Sequence, residues 1–82
     1  MSGRMNLFFN FQGTVISVQC CDNDSLRSVF NKYCTKAEIK LEDAKFYHNG
    51  KEVAPCDKTL FALQLSDRST FNVVLARYVI GA

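Results

Sequence analysis

A chain of 82 residues, 48% hydrophobic and 22% charged, makes one domain and is too apolar to stay unfolded; it buries only about 60% of its unfolded surface, so its core has to be efficient. A net charge of +2, from ten basic and eight acidic residues spread along the chain, lacks the dense basic run of a nucleic-acid binder, and no apolar stretch nears the ~20 residues of a membrane-spanning helix. Four cysteines without a C-x-x-C spacing and one histidine, His48, speak against a zinc or iron–sulfur site and read as free thiols of a reducing compartment, cytoplasm or nucleus.

Residues 1–4 read as an N-terminal lead or cloning remnant, with Met5 as the natural start, and Asn6 and Asn10 break any signal-like apolar run. From Met5 the residues alternate: Met5, Leu7, Phe9 and Phe11 on one face, Asn6, Phe8 and Asn10 on the other. That is a half-buried strand. Gln12-Gly13 is a turn, and the return strand sets Ile16, Val18 and Cys20 against Val15, Ser17 and Gln19. Cys20 therefore belongs in the core and Cys21 at its margin.

The central element spans 25–37. Leu26, Val29, Phe30 and Tyr33 stand at i, i+3, i+4 and i+7, with Cys34 and Ala37 extending the stripe and polar residues on the other side. This period predicts one amphipathic helix with a broad apolar face, capped by Asp24 or Ser25, and with Lys32 and Lys36 at the end where the dipole favours cations. Residues 38–44 connect it to a strand over 45–48, with Ile39 and Leu41 tucked inward. Asn49-Gly50 is a strong hairpin signal, and a short return strand follows at 51–53. Residues 54–58 form a loop, 59–65 a short turn that buries Leu60, Leu63 and Leu65, and 66–69 another turn. The last strand, 70–75, alternates Phe71, Val73 and Leu75 with Asn72 and Val74; Tyr78, Val79 and Ile80 could extend it. The result is an α+β layer arrangement, a mixed sheet of four to five strands packed on one central helix.

In order and spacing these blocks resemble ubiquitin along essentially all of 5–75: M-N-L-F-F, G-T-V-I-S-V, D-S-L-R-S-V-F, K-F-Y-H-N-G-K-E-V, K-T-L-F-A-L-Q-L and S-T-F-N-V-V-L. The resemblance implies a β-grasp ubiquitin-like domain over 5–79, with 80–82 a C-terminal tail. The family reads most partners through an apolar patch on the outside of its sheet. The matching positions here are Tyr47, Asn72 and Val74, flanked by Lys45 and Lys51, with Phe8 as a second, smaller patch. Alternation alone selects the same outer face, since Tyr47 and Val74 point away from Phe46, Phe71 and Val73. An aromatic beside Val74, ringed by lysines, suits a protein partner with an apolar centre and acidic surroundings.

Three departures from the family pattern matter. The tail, Arg77-Tyr78-Val79-Ile80-Gly81-Ala82, lacks the Gly-Gly that conjugated modifiers carry. Tyr47 replaces the branched aliphatic residue at the patch centre, and the Gln12-Gly13 turn is one residue shorter without an apolar tip. The expectation is a non-conjugated, non-enzymatic interaction module of a larger ubiquitin- or proteasome-pathway protein, with ubiquitin-pathway receptors or another domain of its parent protein as partners. It should be monomeric, without cofactor or metal, and should bind neither nucleic acid nor membrane. Two alternatives stand beside it: a modifier or sulfur-carrier precursor, and a structural or oligomerisation domain that buries Phe8 and Tyr78-Val79-Ile80. No paired carboxylates, triad or phosphate loop points to an enzyme. His48 reads as a structural histidine, Cys34 as core, and Cys56 as a loop thiol.

Overall fold

The alternation at the start of the chain becomes an antiparallel hairpin in the computed structural model, which describes residues 4–76. Strand β1 (Arg4–Phe11) pairs with β2 (Thr14–Cys21) from Arg4↔Cys21 to Phe11↔Thr14. Arg4, the last residue of the expected lead, is thus drawn into β1 by its ladder partner. Gln12 and Gly13 both take positive φ (52° and 85°), which a tight type I′ turn demands and which matches the twist of the flanking strands. The Gly13 amide donates to Asn10 Oδ1 at 3.1 Å.

Helix α1 (Leu26–Ala37) follows and buries Leu26, Val29, Phe30, Tyr33 and Cys34. Its first amides, which no helical carbonyl can reach, all find partners. Leu26 donates to the Lys58 carbonyl and Arg27 to that of Cys56, at 3.0 and 2.9 Å. Ser28 donates to Oγ of the N-cap Ser25 at 3.2 Å. Asp24 instead closes the preceding turn, accepting from the Cys21 amide at 2.9 Å. At the other end Ile39 donates to Cys34 O (3.0 Å) and Glu38 to Thr35 O (3.4 Å), so the helix closes in a Schellman pattern. Of the two expected C-terminal lysines, Lys36 lies in the last turn, and its Nζ donates to Ser17 O on β2 at 3.2 Å.

Closing that pattern puts Glu38 at φ 59°, ψ 43°, a left-handed conformation in which a Cβ is crowded and glycine is not. Glu38→Gly should therefore stabilise the domain by about 1 kcal/mol. Urea unfolding would show this as a higher midpoint at an unchanged slope.

The connector carries one 3₁₀ turn (Leu41–Asp43) before β3 (Ala44–His48), which starts one residue earlier than the alternation predicts because Ala44 already pairs with Leu75. Asn49 and Gly50 again take positive φ (54° and 81°) and lead into β4 (Lys51–Val53). Strand β5 (Thr70–Leu75) runs parallel to β1 and antiparallel to β3, giving one five-stranded sheet in the order β2-β1-β5-β3-β4. The segment between β4 and β5 is held by distant backbone rather than by its own pattern. Leu60 donates to Asp24 O and Phe61 to Asp22 O, while Arg68 donates to Asn6 O and Asn6 to Asp67 Oδ1. Leu60 is consequently fully buried, Leu63 and Leu65 pack against the core edge, and Phe61 is left outside.

Among the described residues, the core between sheet and helix is built on five rings. Phe9 stacks on Tyr33 (centroids 4.5 Å apart) and on Phe71 (5.2 Å), and meets Phe30 and Phe46 edge-on. Phe30 stacks on Phe46 at 3.9 Å. Each ring comes from a position that the strand or helix period points inward. Tyr78, Val79, Ile80 and the rest of the tail lie outside the described residues.

Candidate functional site

Because successive side chains of a strand point to opposite faces, the ladder register determines what the side of the sheet away from α1 displays. Asn10 lies opposite Val15 on one side and Asn72 on the other; Asn72 lies opposite Tyr47, and Tyr47 opposite Glu52. One row, Val15-Asn10-Asn72-Tyr47-Glu52, therefore crosses all five strands. Beside it, Lys45 faces Val74, and Phe8 sits between Ser17 and Thr70.

Tyr47 is half-buried, Val74 is 39% exposed, and Asn72 and Lys45 are exposed. The structure thus brings Tyr47, Asn72, Val74 and Lys45 together. Phe8, half-buried, shares their face but is separated from Tyr47 by the width of β5. Lys51 falls elsewhere: it pairs with His48 at the hairpin tip and so belongs by register to the opposite side from Tyr47. The ionic neighbour directly across from Tyr47 is Glu52. The two-residue Asn49-Gly50 turn carries that signal, since closing at 48↔51 forces 47↔52.

The groups this face offers are those of non-covalent contact. A tyrosine ring and hydroxyl, two side-by-side carboxamides, a valine and one charge of each sign offer apolar contact with hydrogen bonds around it, as protein interfaces do. Two further apolar side chains that local patterning does not single out are exposed: Val15, 57% exposed at the end of the row, and Phe61, 72% exposed on the turn that buries Leu60. Only the tertiary hydrogen bonds of the 59–65 turn decide which of its residues faces out.

The remaining chemical groups are placed for packing. His48 sits half-buried with its ring 5.1 Å from Phe71. Cys20 and Cys34 are buried, and burial pushes both thiols up to about 11; at Cys20 the nearby Asp24 carboxylate adds to the effect. Burial also raises the Tyr33 hydroxyl. Cys21 and Cys56 are half-buried, and all four cysteines are unpaired. Among the described residues no cluster of His, Cys, Asp or Glu has the make-up of a metal site.

No family model and no curated protein matches the sequence. Solved structures do. The ubiquitin-like domain of an Arabidopsis thaliana protein superposes with a TM-score of 0.78 at 16% identity, over 89% of this chain and 78% of that one. Ubiquitin from Caldiarchaeum subterraneum superposes with a TM-score of 0.77 at 17% identity, over 89% and 94%. At these identities the likeness is one of fold.

Proposed function

We propose that this ubiquitin-like β-grasp domain is a protein-interaction module that docks a larger protein of the ubiquitin or proteasome system onto folded partners, acting without being conjugated itself. The observation that supports the reading is the register of β3 on β5, which sets Tyr47 beside Asn72 and Val74 beside Lys45 on the outer face. The ring at position 47 makes the patch centre broader and more polar than an aliphatic one, favouring partners that can accept a hydroxyl hydrogen bond. Lys45, two residues before Tyr47 on β3, and Glu52, across from it on β4, set the orientation of a charged partner more than its affinity.

Titrating the isotope-labelled domain with isolated ubiquitin-receptor domains tests this reading. Amide shifts should move at Lys45, Tyr47, Asn72 and Val74 while the helix amides stay put. A panel of such receptors that leaves these four residues unperturbed would overturn the patch assignment. Incubation with activating enzymes and ATP separates the modifier alternative, because a thioester adduct would make the chain a conjugated modifier instead.

A further inference from the structure

We propose that Asn49 is a site of spontaneous deamidation, which places a slow, irreversible chemical change at the tip of the hairpin that carries Tyr47. The reaction is intramolecular. The Gly50 backbone nitrogen, having lost its proton, attacks Asn49 Cγ; the carboxamide nitrogen takes up a proton and leaves as ammonia, closing a five-membered imide. Water then opens either imide carbonyl, giving aspartate or isoaspartate at position 49. Nothing is oxidised or reduced, and water is the only co-reactant.

Four observations single out this residue. Of the six asparagines, it alone precedes glycine; the others precede Leu7, Phe11, Asp24, Lys32 and Val73, whose side chains crowd the attacking nitrogen. Asn49 and Gly50 are both exposed, and nothing lies within 4 Å of where a Cβ on Gly50 would stand. Among the described residues neither the Asn49 carboxamide nor the Gly50 amide is held by a hydrogen bond, whereas at the comparable Gln12-Gly13 turn the glycine amide is tied to Asn10 Oδ1. Finally, β4 is a three-residue edge strand whose ladder partners all lie on β3. So short an edge opens at low cost and lets the turn visit the backbone angles that ring closure needs.

Both products add a carboxylate between His48 and Lys51, lowering the net charge of +2 by one. Isoaspartate also inserts a methylene into the main chain of a two-residue turn whose residues must both hold positive φ. The 48↔51 closure and the Tyr47↔Glu52 pairing then slacken, while Tyr47↔Asn72 on the other side of β3 is kept. That this alters partner binding rests on the function proposed above; the modification itself does not.

The test is ageing of the intact domain at body temperature in mildly alkaline buffer, beside the free peptide 46–51. Intact mass should rise by the amide-to-acid difference, no more than about tenfold more slowly than in the peptide. Isoaspartyl methyltransferase should label the tryptic fragment 46–51, and Asn49→Asp should abolish the mass gain. An unchanged mass after the peptide has fully converted, or label on a fragment holding another asparagine, would overturn the proposal. Binding by fresh and aged protein to one receptor keeps the two readings apart: label at position 49 with no binding by fresh protein would uphold the modification and remove the binding face.

Discussion

Phe9→Ala should destabilise the domain by about 3–5 kcal/mol, the range for truncating a buried ring in a core that cannot close up around the loss. Phe9 is 0% exposed and touches every other ring of the core, stacking on Tyr33 and Phe71 and meeting Phe30 and Phe46 edge-on. The four neighbours come from α1, β3 and β5, so no single element can shift to fill the space. Against a total of about 5–15 kcal/mol for a small domain, this brings the protein near its unfolding threshold. Calorimetry should show a much lower melting temperature or no cooperative transition; a melting temperature close to that of the parent would mean that the aromatic cluster does not hold the sheet to the helix.

Alkaline pH should strip away a comparable amount of stability. The Cys20 and Cys34 thiols, ordinarily at 9.0, stand at about 11 in the folded protein, chiefly because burial disfavours the thiolate. Between those values the unfolded chain has released these protons and the folded one still holds them. The unfolded state therefore binds fewer protons, and stability falls as pH rises through this window. Below pH 9 the contribution is fully present. Each thiol accounts for about 1.4 kcal/mol per pH unit, hence at most about 2–3 kcal/mol by pH 11. The raised Tyr33 hydroxyl works in the same direction. Urea unfolding under reducing conditions at several pH values would measure the slope, and Cys34→Ala should remove one thiol's share of it. A parental slope unchanged in that variant would show that the thiol titrates normally in the fold.

Most of the architecture was legible in the residues because two periods carry it. The two-residue alternation of Leu7 and Phe9, or of Phe71 and Val73, admits one buried face, and slipping by one residue would bury Asn10 or Asn72. The helical spacing of Leu26, Val29, Phe30 and Tyr33 is as restrictive, and Asn49-Gly50 announces its own turn. The 54–69 segment is different. Its course depends on Asp22, Asp24 and Asn6, tens of residues away, which accept the amides of Phe61, Leu60 and Arg68. No local pattern states such pairings, so the exposure of Phe61 could not be read in advance.

The outer face was legible in the same uneven way. Tyr47, Asn72, Val74 and Lys45 follow from alternation once the strands are recognised. Pairing between strands adds a second condition, and here the resemblance to ubiquitin suggested Lys51 as a flank where turn geometry sets Glu52 across from Tyr47. The residue count of a loop fixed that register more firmly than likeness to a family.

A binding face on this sheet requires that Tyr47 look outward while the ring cluster closes the inner side. Tyr47→Ala, measured for both receptor affinity and unfolding free energy beside Val29→Ala, tests that requirement most directly. The expected result is affinity weakened about tenfold or more with stability changed by less than about 0.5 kcal/mol, while Val29→Ala, at a fully buried position, costs about 2 kcal/mol or more. Tyr47→Ala that costs as much stability as Val29→Ala, or that leaves receptor affinity intact, would contradict it.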